Sequence, residues 1–471
     1  FMATTFWLYH YTRKKIFNNK KGFFLLILFF LAFENLHLNW QLNWPWLNIG
    51  NVFSHNHTWV QWYEFTGIAG GTVWVLLANL LFYNAIRSIW QQGNKATRQR
   101  VVSVVYFLAI VFVPIIISKI MYNSYEEKGG DVEIVVVQPN IDPYNEEFTI
   151  SAAENLNRNF IVAEPLITDK TRFVVSPESS IQENVWIERL GSYYSIRELK
   201  LFSRNNNITY IIGASTYGMA SDRKDFAARK FYDADEYYYA YNSALSINDT
   251  SDIQIHQKSK LTPGVEMMPS WWFLRPIKNL AIDLGGTVGT LKSEDKATIF
   301  SYESQQDNKT TSQRDNKSTR GKDSVTRRLG DLESKKYNVA PLICYESVFG
   351  GYVTEFVREG ANLIFVITND GWWGDTQGHR QHFEMSKLRA IENRRSIARS
   401  ANTGISGFIN QRGDVIEQSN YWEPIALRNT LNVNNEITFY SQHGDYLYRI
   451  ASLIAVLLLC FSFVKSIMIK R

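Results

Sequence analysis

Residues 340–352 read APLICYESVFGGY. An apolar run delivers a cysteine at its end, and a tyrosine and a glutamate follow at once. The chain has two cysteines, so a disulfide is the first explanation to exclude. The other, Cys460, lies in ASLIAVLLLCFSFV, residues 451–464, a continuous apolar stretch near the C-terminus. A sulfur buried in lipid cannot reach Cys344 within disulfide geometry. Cys344 is therefore a lone thiol. By itself PLICYE leaves two readings open, a small buried hydrophobe or a reactive group at a strand end.

Neighbouring segments repeat the pattern. VEIVVVQPNI from Val132, RFVVSPESSI from Arg172, ITYIIGAST from Ile208, VAPLICYES from Val339 and ANLIFVITND from Ala361 are short β-branched runs ending in polar residues. They read as strands. HRQHFEMSKLRAIENRRSIARSA, from His379 to Ala401, reads as a helix. Alternation of the two indicates an α/β domain with a covered sheet, in which chemistry gathers where strands end. The span 302–338 is almost devoid of apolar residues and reads as a mobile surface insertion.

The rest of the chain is a different kind of protein. Apolar stretches begin at Gly22, Gly67 and Val101, and a fourth runs from Ile450 to Val464. The second and third approach the roughly 20 residues needed to cross a bilayer; the first is shorter and carries Glu34. Lys14, Lys15, Lys20 and Lys21 precede the first stretch. Arg87, Lys95, Arg98 and Arg100 separate the second from the third, and Lys465, Lys470 and Arg471 end the chain. Residues 35–86 hold no Lys or Arg. The positive-inside rule then puts the basic segments in the cytoplasm and residues 123–442 outside. Trp40, Trp44, Trp46, Trp59 and Trp62 suit an outer interfacial belt. FMATTFWLYHY at the start reads as the tail of another span, so earlier helices are expected before it. The expected organisation is a transmembrane helical region over 1–122, an outer catalytic domain over 130–440 and a final helix over 446–471. A net charge of only +5 argues against nucleic acid as a partner. The eight histidines show no metal-ligand spacing, HNH at 55–57 included, so neither a metal nor a cofactor is expected.

Three strand ends carry three groups that together suffice for acyl transfer. SPES presents Glu178, HQKSKLTPGVE presents Lys258, Lys260 and Glu266, and LICYES presents Cys344 and Glu346. A carboxylate takes the thiol proton, the thiolate attacks a carbonyl, and an ammonium stabilises the oxyanion. PES, K-x-K-L-x-P-x-x-E and CYES, in this order, closely resemble the signature segments of the nitrilase (carbon–nitrogen hydrolase) superfamily. The resemblance implies an αββα sandwich, with Glu178 as general base, Lys258 as oxyanion group and Cys344 as nucleophile. It also implies supporting roles for Glu266 and Glu346. Lys260 stands where that family commonly has a histidine, which makes Lys258 the catalytic lysine.

The membrane stretches narrow the resemblance to the apolipoprotein N-acyltransferase family. FTGIAGGTVWVLLANLLFYNA is similar to one of its helices, residues 367–415 to its segment after the cysteine, and TFYSQHGDYLYRI to the approach to its last helix. What this implies is a two-step reaction. A phospholipid donates its acyl chain to Cys344, and the free amine of a diacylated apolipoprotein accepts it. The protein would be a monomer in the bacterial inner membrane, with its catalytic domain in the periplasm. The rival reading is a membrane-tethered nitrilase-type amidase that releases the acyl group to water. Trp372 and Trp373, in the glycine-flanked NDGWWGD, are expected to line the acyl access path or its lid.

Overall fold

A computed structural model describes residues 2–18, 21–89, 94–147, 149–268, 290–303 and 336–468. Apolar content and length make three of its helices able to cross a bilayer: α3 (Tyr63–Ile89), most of α4 (Asn94–Ser124) and α10 (Tyr446–Met468). They are joined by α1 (Met2–Phe17) and α2 (Leu25–Leu38). The sequence reading took the stretch from Gly22 as a span. The helix it forms has 14 residues, a rise of about 21 Å against a hydrocarbon core of about 30 Å. Half of α2 is buried, and its Glu34 accepts from the Ile49 backbone N–H and the Thr72 hydroxyl. The described parts of the basic segments gather at one end of the bundle. Lys15 Nζ donates to Ser466 Oγ, Arg100 Nε to the Ser88 carbonyl, and Phe23 packs on Tyr83.

The remaining chain forms two sheets. One contains β1 (Asp131–Gln138), β2 (Thr171–Val175), β3 (Ile181–Trp186), β4 (Thr209–Met219), β5 (Arg229–Lys230), β6 (Tyr237–Ile247), β7 (Gln254–Gln257) and β14 (Ile425–Asn432). Its order is β14-β1-β2-β4-β6-β5, with β3 also on β4 and β7 also on β6. The other runs β13 (Val415–Gln418), β12 (Gly407–Ile409), β11 (Ile397–Ala401), β10 (Leu363–Thr368), β9 (Lys336–Ile343) and β8 (Phe300–Glu303). Alternation sorts each strand's side chains between layers. Val132, Ile134 and Val136 of β1 meet Val339, Ile343, Phe365 and Ile367 of the other sheet. Val135 and Val137 face α5 (Ala152–Ala163) and α6 (Tyr194–Asn206). Ala340 and Leu342 face α7 (Gly350–Arg358) and α8 (Gln377–Asn393). The result is an αββα sandwich.

The membrane helices dock on its α7/α8 side. Val60, Tyr63, Ile68 and Trp74 share one core with Phe356, Leu388, Tyr448 and Ala451. Gly67 makes one close approach: its φ is +58°, and a Cβ there would lie 2.4 Å from the ring of Tyr440, in α9 (Phe439–His443).

Two expectations are corrected here. The helix read from 379 to 401 stops at Asn393. Arg394 is left-handed at φ +49°, and residues 397–401 form the fully buried β11. Arg and Ala favour helix in isolation, but pairing with both β10 and β12 overrides that preference. The insertion read over 302–338 is narrower: Tyr302 pairs with Tyr337 and Ser301 with Asn338 in the β8–β9 ladder. Residues 304–335 lie outside the described residues.

Candidate active site

Glu178 sits in the turn between β2 and β3, held close against β4. Gly213 makes this possible, since a Cβ there would lie 2.5 Å from the Glu178 Cα. Lys258 follows β7 directly, and its backbone N–H donates to the Asn242 carbonyl on β6 at 2.8 Å. Cys344 follows β9, and its backbone is left-handed at φ +48°. For a residue with a Cβ that conformation costs about 1–3 kcal/mol, so the surroundings must hold it. Glu346 does so from two residues on. Its Oε2 accepts from the Ile343 N–H (2.8 Å) and lies 3.1 Å from His256 Nε2, while Oε1 accepts from the Ser259 N–H (2.6 Å). One buried carboxylate thus ties the cysteine turn to the lysine loop. Burial opposes its ionisation, but His256 and the two N–H groups hold its pKa below the ordinary range.

Lys258 Nζ donates to Glu178 Oε1 at 3.0 Å and to Glu266 Oε1 at 2.8 Å, with the lysine only 1% exposed. Burial alone would lower its pKa; Glu178 and Glu266 outweigh burial and raise it well above the ordinary value. The ammonium is therefore a fixed cation. Asn242 Nδ2 donates to the same two carboxylates at 2.7 and 2.9 Å, and the Asn369 N–H donates to Glu178 Oε2 at 3.1 Å. Lys260 points elsewhere, over the rings of Phe349 and Tyr352. Burial, then Glu178 and Asp370, push the Cys344 thiol far up, with Lys258 opposing. The resting sulfur is protonated, and it needs a base when substrate arrives.

A cavity of about 430 Å³ opens over these groups. Glu178, Lys258, Glu266 and Cys344 line it, together with Trp372 and Trp373. Part of its wall comes from the membrane part. Trp44 and Trp46, in the loop between α2 and α3, lie 6.2 and 5.4 Å from the Trp373 ring, and Trp46 stacks 6.1 Å from Tyr345. These two indoles were expected in an interfacial belt. The fold also sets them over the turn that carries Cys344.

Sequence reading also passed over His382. Its Nδ1 lies 2.8 Å from Asp370 Oδ1, and its Nε2 lies 2.9 Å from Ser347 Oγ and 3.2 Å from the Cys344 carbonyl. Arg399 Nη2 donates to Asp370 Oδ2 at 2.7 Å. Among the described residues, Cys344, Asp370 and His382 are the one group whose ligand atoms cluster as a metal site would need. Asp370 and both His382 nitrogens already face hydrogen-bond partners from the protein. The three residues come from a strand end, a turn and a helix, so no local spacing in the sequence joined them.

This sandwich, with a carboxylate, a lysine and a cysteine at three strand ends, defines a class. Residues 133–429 match the family described as carbon–nitrogen hydrolase, and the chain belongs to that family. Residues 1–81 match a second description, the apolipoprotein N-acyltransferase N-terminal domain. The chain is similar throughout to proteins named apolipoprotein N-acyltransferase. That of Chlorobaculum tepidum is 25% identical over 91% of this chain and 75% of the relative. That of Rickettsia prowazekii is 26% identical over 94% and 76%. Among solved structures, Saccharomyces cerevisiae Nit3, a nitrilase-superfamily member, aligns over 64% of this chain and 90% of its own, with 14% identity and a TM-score of 0.40.

Proposed function

We propose that this chain is a membrane N-acyltransferase that moves a fatty acyl group from a phospholipid to the N-terminal amine of a diacylglyceryl-cysteine apolipoprotein. Glu178 takes the Cys344 proton, and the thiolate attacks the ester carbonyl. Lys258 faces the oxyanion. The tetrahedral adduct collapses to a thioester as Glu178 returns its proton to the departing lysophospholipid alkoxide. The acceptor amine then attacks the thioester, and its proton passes through Glu178 to the leaving sulfur. Glu266 and Glu346 act through Lys258 and the cysteine turn. The inner membrane, with the catalytic domain on its periplasmic side, fits the gathering of basic segments at the end of the bundle away from the sandwich.

The observation that carries this reading is the cavity wall. Trp44 and Trp46 belong to the membrane part and line the same cavity as Cys344, so a bilayer lipid has a short apolar route to the sulfur. The test is intact-protein mass spectrometry of enzyme purified with phospholipid. One fatty-acyl increment on Cys344 is expected, absent in Cys344→Ala and discharged by a diacylated lipopeptide with a free amine. Rapid release as free fatty acid, with or without peptide, would replace this reading with the amidase one.

A further inference from the structure

Glu147 is not used by the reaction above. It lies in the loop after β1, is 4% exposed, and lines the same cavity as Glu178. Its Oε2 accepts from Asn369 Nδ2 at 2.8 Å, while the Asn369 backbone N–H serves Glu178. The two carboxylates therefore flank one asparagine. They differ in one respect: Glu178 has Lys258, whereas no cation pairs with Glu147 among the described residues. Among the described residues, the groups against Glu147 are neutral apart from Glu178. They are Asn369, Asn155, Asn402 and Gln182, the last reaching its Oε1 at a long 3.4 Å. Burial, reinforced by Glu178 against the Asn369 hydrogen bond, pushes its carboxyl up to about 8. A second acceptor in the same cavity is unsatisfied. Asn242 lines the cavity at 8% exposure, and its Oδ1 has no partner.

A buried acid without a cation and a buried carbonyl without a donor are both costly. A single group with a positive charge and several N–H donors would satisfy them together. We infer that Glu147, with Asn242 and the Glu178 turn, forms a subsite for a primary ammonium in this cavity. The inference rests on the acyl-transfer reading, which offers two such groups: the acceptor's α-amine and the amine of an ethanolamine headgroup on the donor. For the acceptor the subsite also does chemistry, because an ammonium cannot attack a thioester. Glu147 takes one proton from it. The freed nitrogen pair then forms the C–N bond as the C–S bond breaks, and Glu178 carries the second proton to sulfur. A free α-amine titrates at roughly 7.7–8.0, close enough for that exchange to run both ways.

Glu147→Gln keeps an acceptor for Asn369 and removes the charge. The full chain in detergent is followed by intact mass through two paired comparisons. The first is loading of Cys344 from an ethanolamine-headed against a glycerol-headed phospholipid. The second is discharge of loaded enzyme by the free-amine lipopeptide against hydroxylamine, a neutral nucleophile. A loss at least tenfold larger for the lipopeptide assigns the subsite to the acceptor. The same disparity between donor lipids assigns it to the headgroup. Equal losses within both pairs, or no loss, overturn the inference. If the variant does not fold, binding to the wild-type chain decides. For the lipopeptide or the headgroup lipid, N-acetylation should weaken binding at least tenfold more than N,N-dimethylation, which keeps the charge, and equal effects overturn it. A wild-type enzyme that never carries an acyl increment defeats the acyl-transfer reading, and the binding comparison still tests the subsite.

Discussion

At the scale of single residues, Asp370 shows how charge is handled inside the sandwich. It is fully buried, and burial resists its ionisation, yet His382 and Arg399 hold its carboxyl far below the usual range. Because the folded value lies below the unfolded one, its stabilisation is complete above about pH 4 and drains away as the pH falls toward the folded value. Asp370→Asn leaves the Arg399 guanidinium, itself 0% exposed, facing a neutral amide. The expected cost is about 3–5 kcal/mol near neutral pH, shrinking on acidification. Thermal unfolding of both proteins between pH 3 and 7 measures it, and a difference that grows toward low pH would contradict the assignment. None of this was visible in the sequence, because Asp370, His382 and Arg399 follow no motif spacing. The carboxylate, lysine and cysteine were visible, since each follows a strand-like run within its own short signature.

At the scale of elements, the site depends on how closely β4 approaches the turn that carries Glu178. Gly213→Ala would put a Cβ 2.5 Å from the Glu178 Cα and 2.6 Å from the Ser179 nitrogen, both backbone atoms that cannot rotate away. Overpacking of that kind costs about 1–3 kcal/mol. It would also displace Glu178 from Lys258 and from the Asn369 N–H. Thioester formation should therefore fall about 100-fold, while the melting temperature drops by only a few degrees. A fall in stability without a loss of rate would mean that the turn can move at no cost to the chemistry. Element type was mostly legible from periodicity. The exception is 394–401, where helix-favouring residues were pulled into a central strand by neighbours on both sides.

At the scale of the whole molecule, the membrane bundle and the sandwich share a core and a cavity wall. Trp46 is the element of that wall nearest the tyrosine after Cys344. Trp46→Ala should slow acyl loading from a bilayer phospholipid about tenfold. Loading from a short water-soluble ester should be nearly unaffected, because such a donor needs no apolar route. Equal slowing of both would make the indole a support for the cysteine turn. The comparison needs only the rate of Cys344 acylation by the two donors.

The sequence determined the division into membrane helices and an α/β domain and the strands that end in Glu178, Lys258 and Cys344, and its motif register pointed to Lys258 rather than Lys260. Those features are local: hydrophobic period, strand-end chemistry and charge along the chain are all written within a few residues. The tertiary structure decided what depends on distance. It ended α8 at Arg394 and buried Arg399 in a strand. It joined Asp370 and His382 beneath the cysteine turn, and it brought Trp44 and Trp46 from the membrane part over the cavity that holds Cys344. Each of these outcomes is set by partners tens or hundreds of residues away, and contact energy with such partners leaves no period in the sequence that forms it.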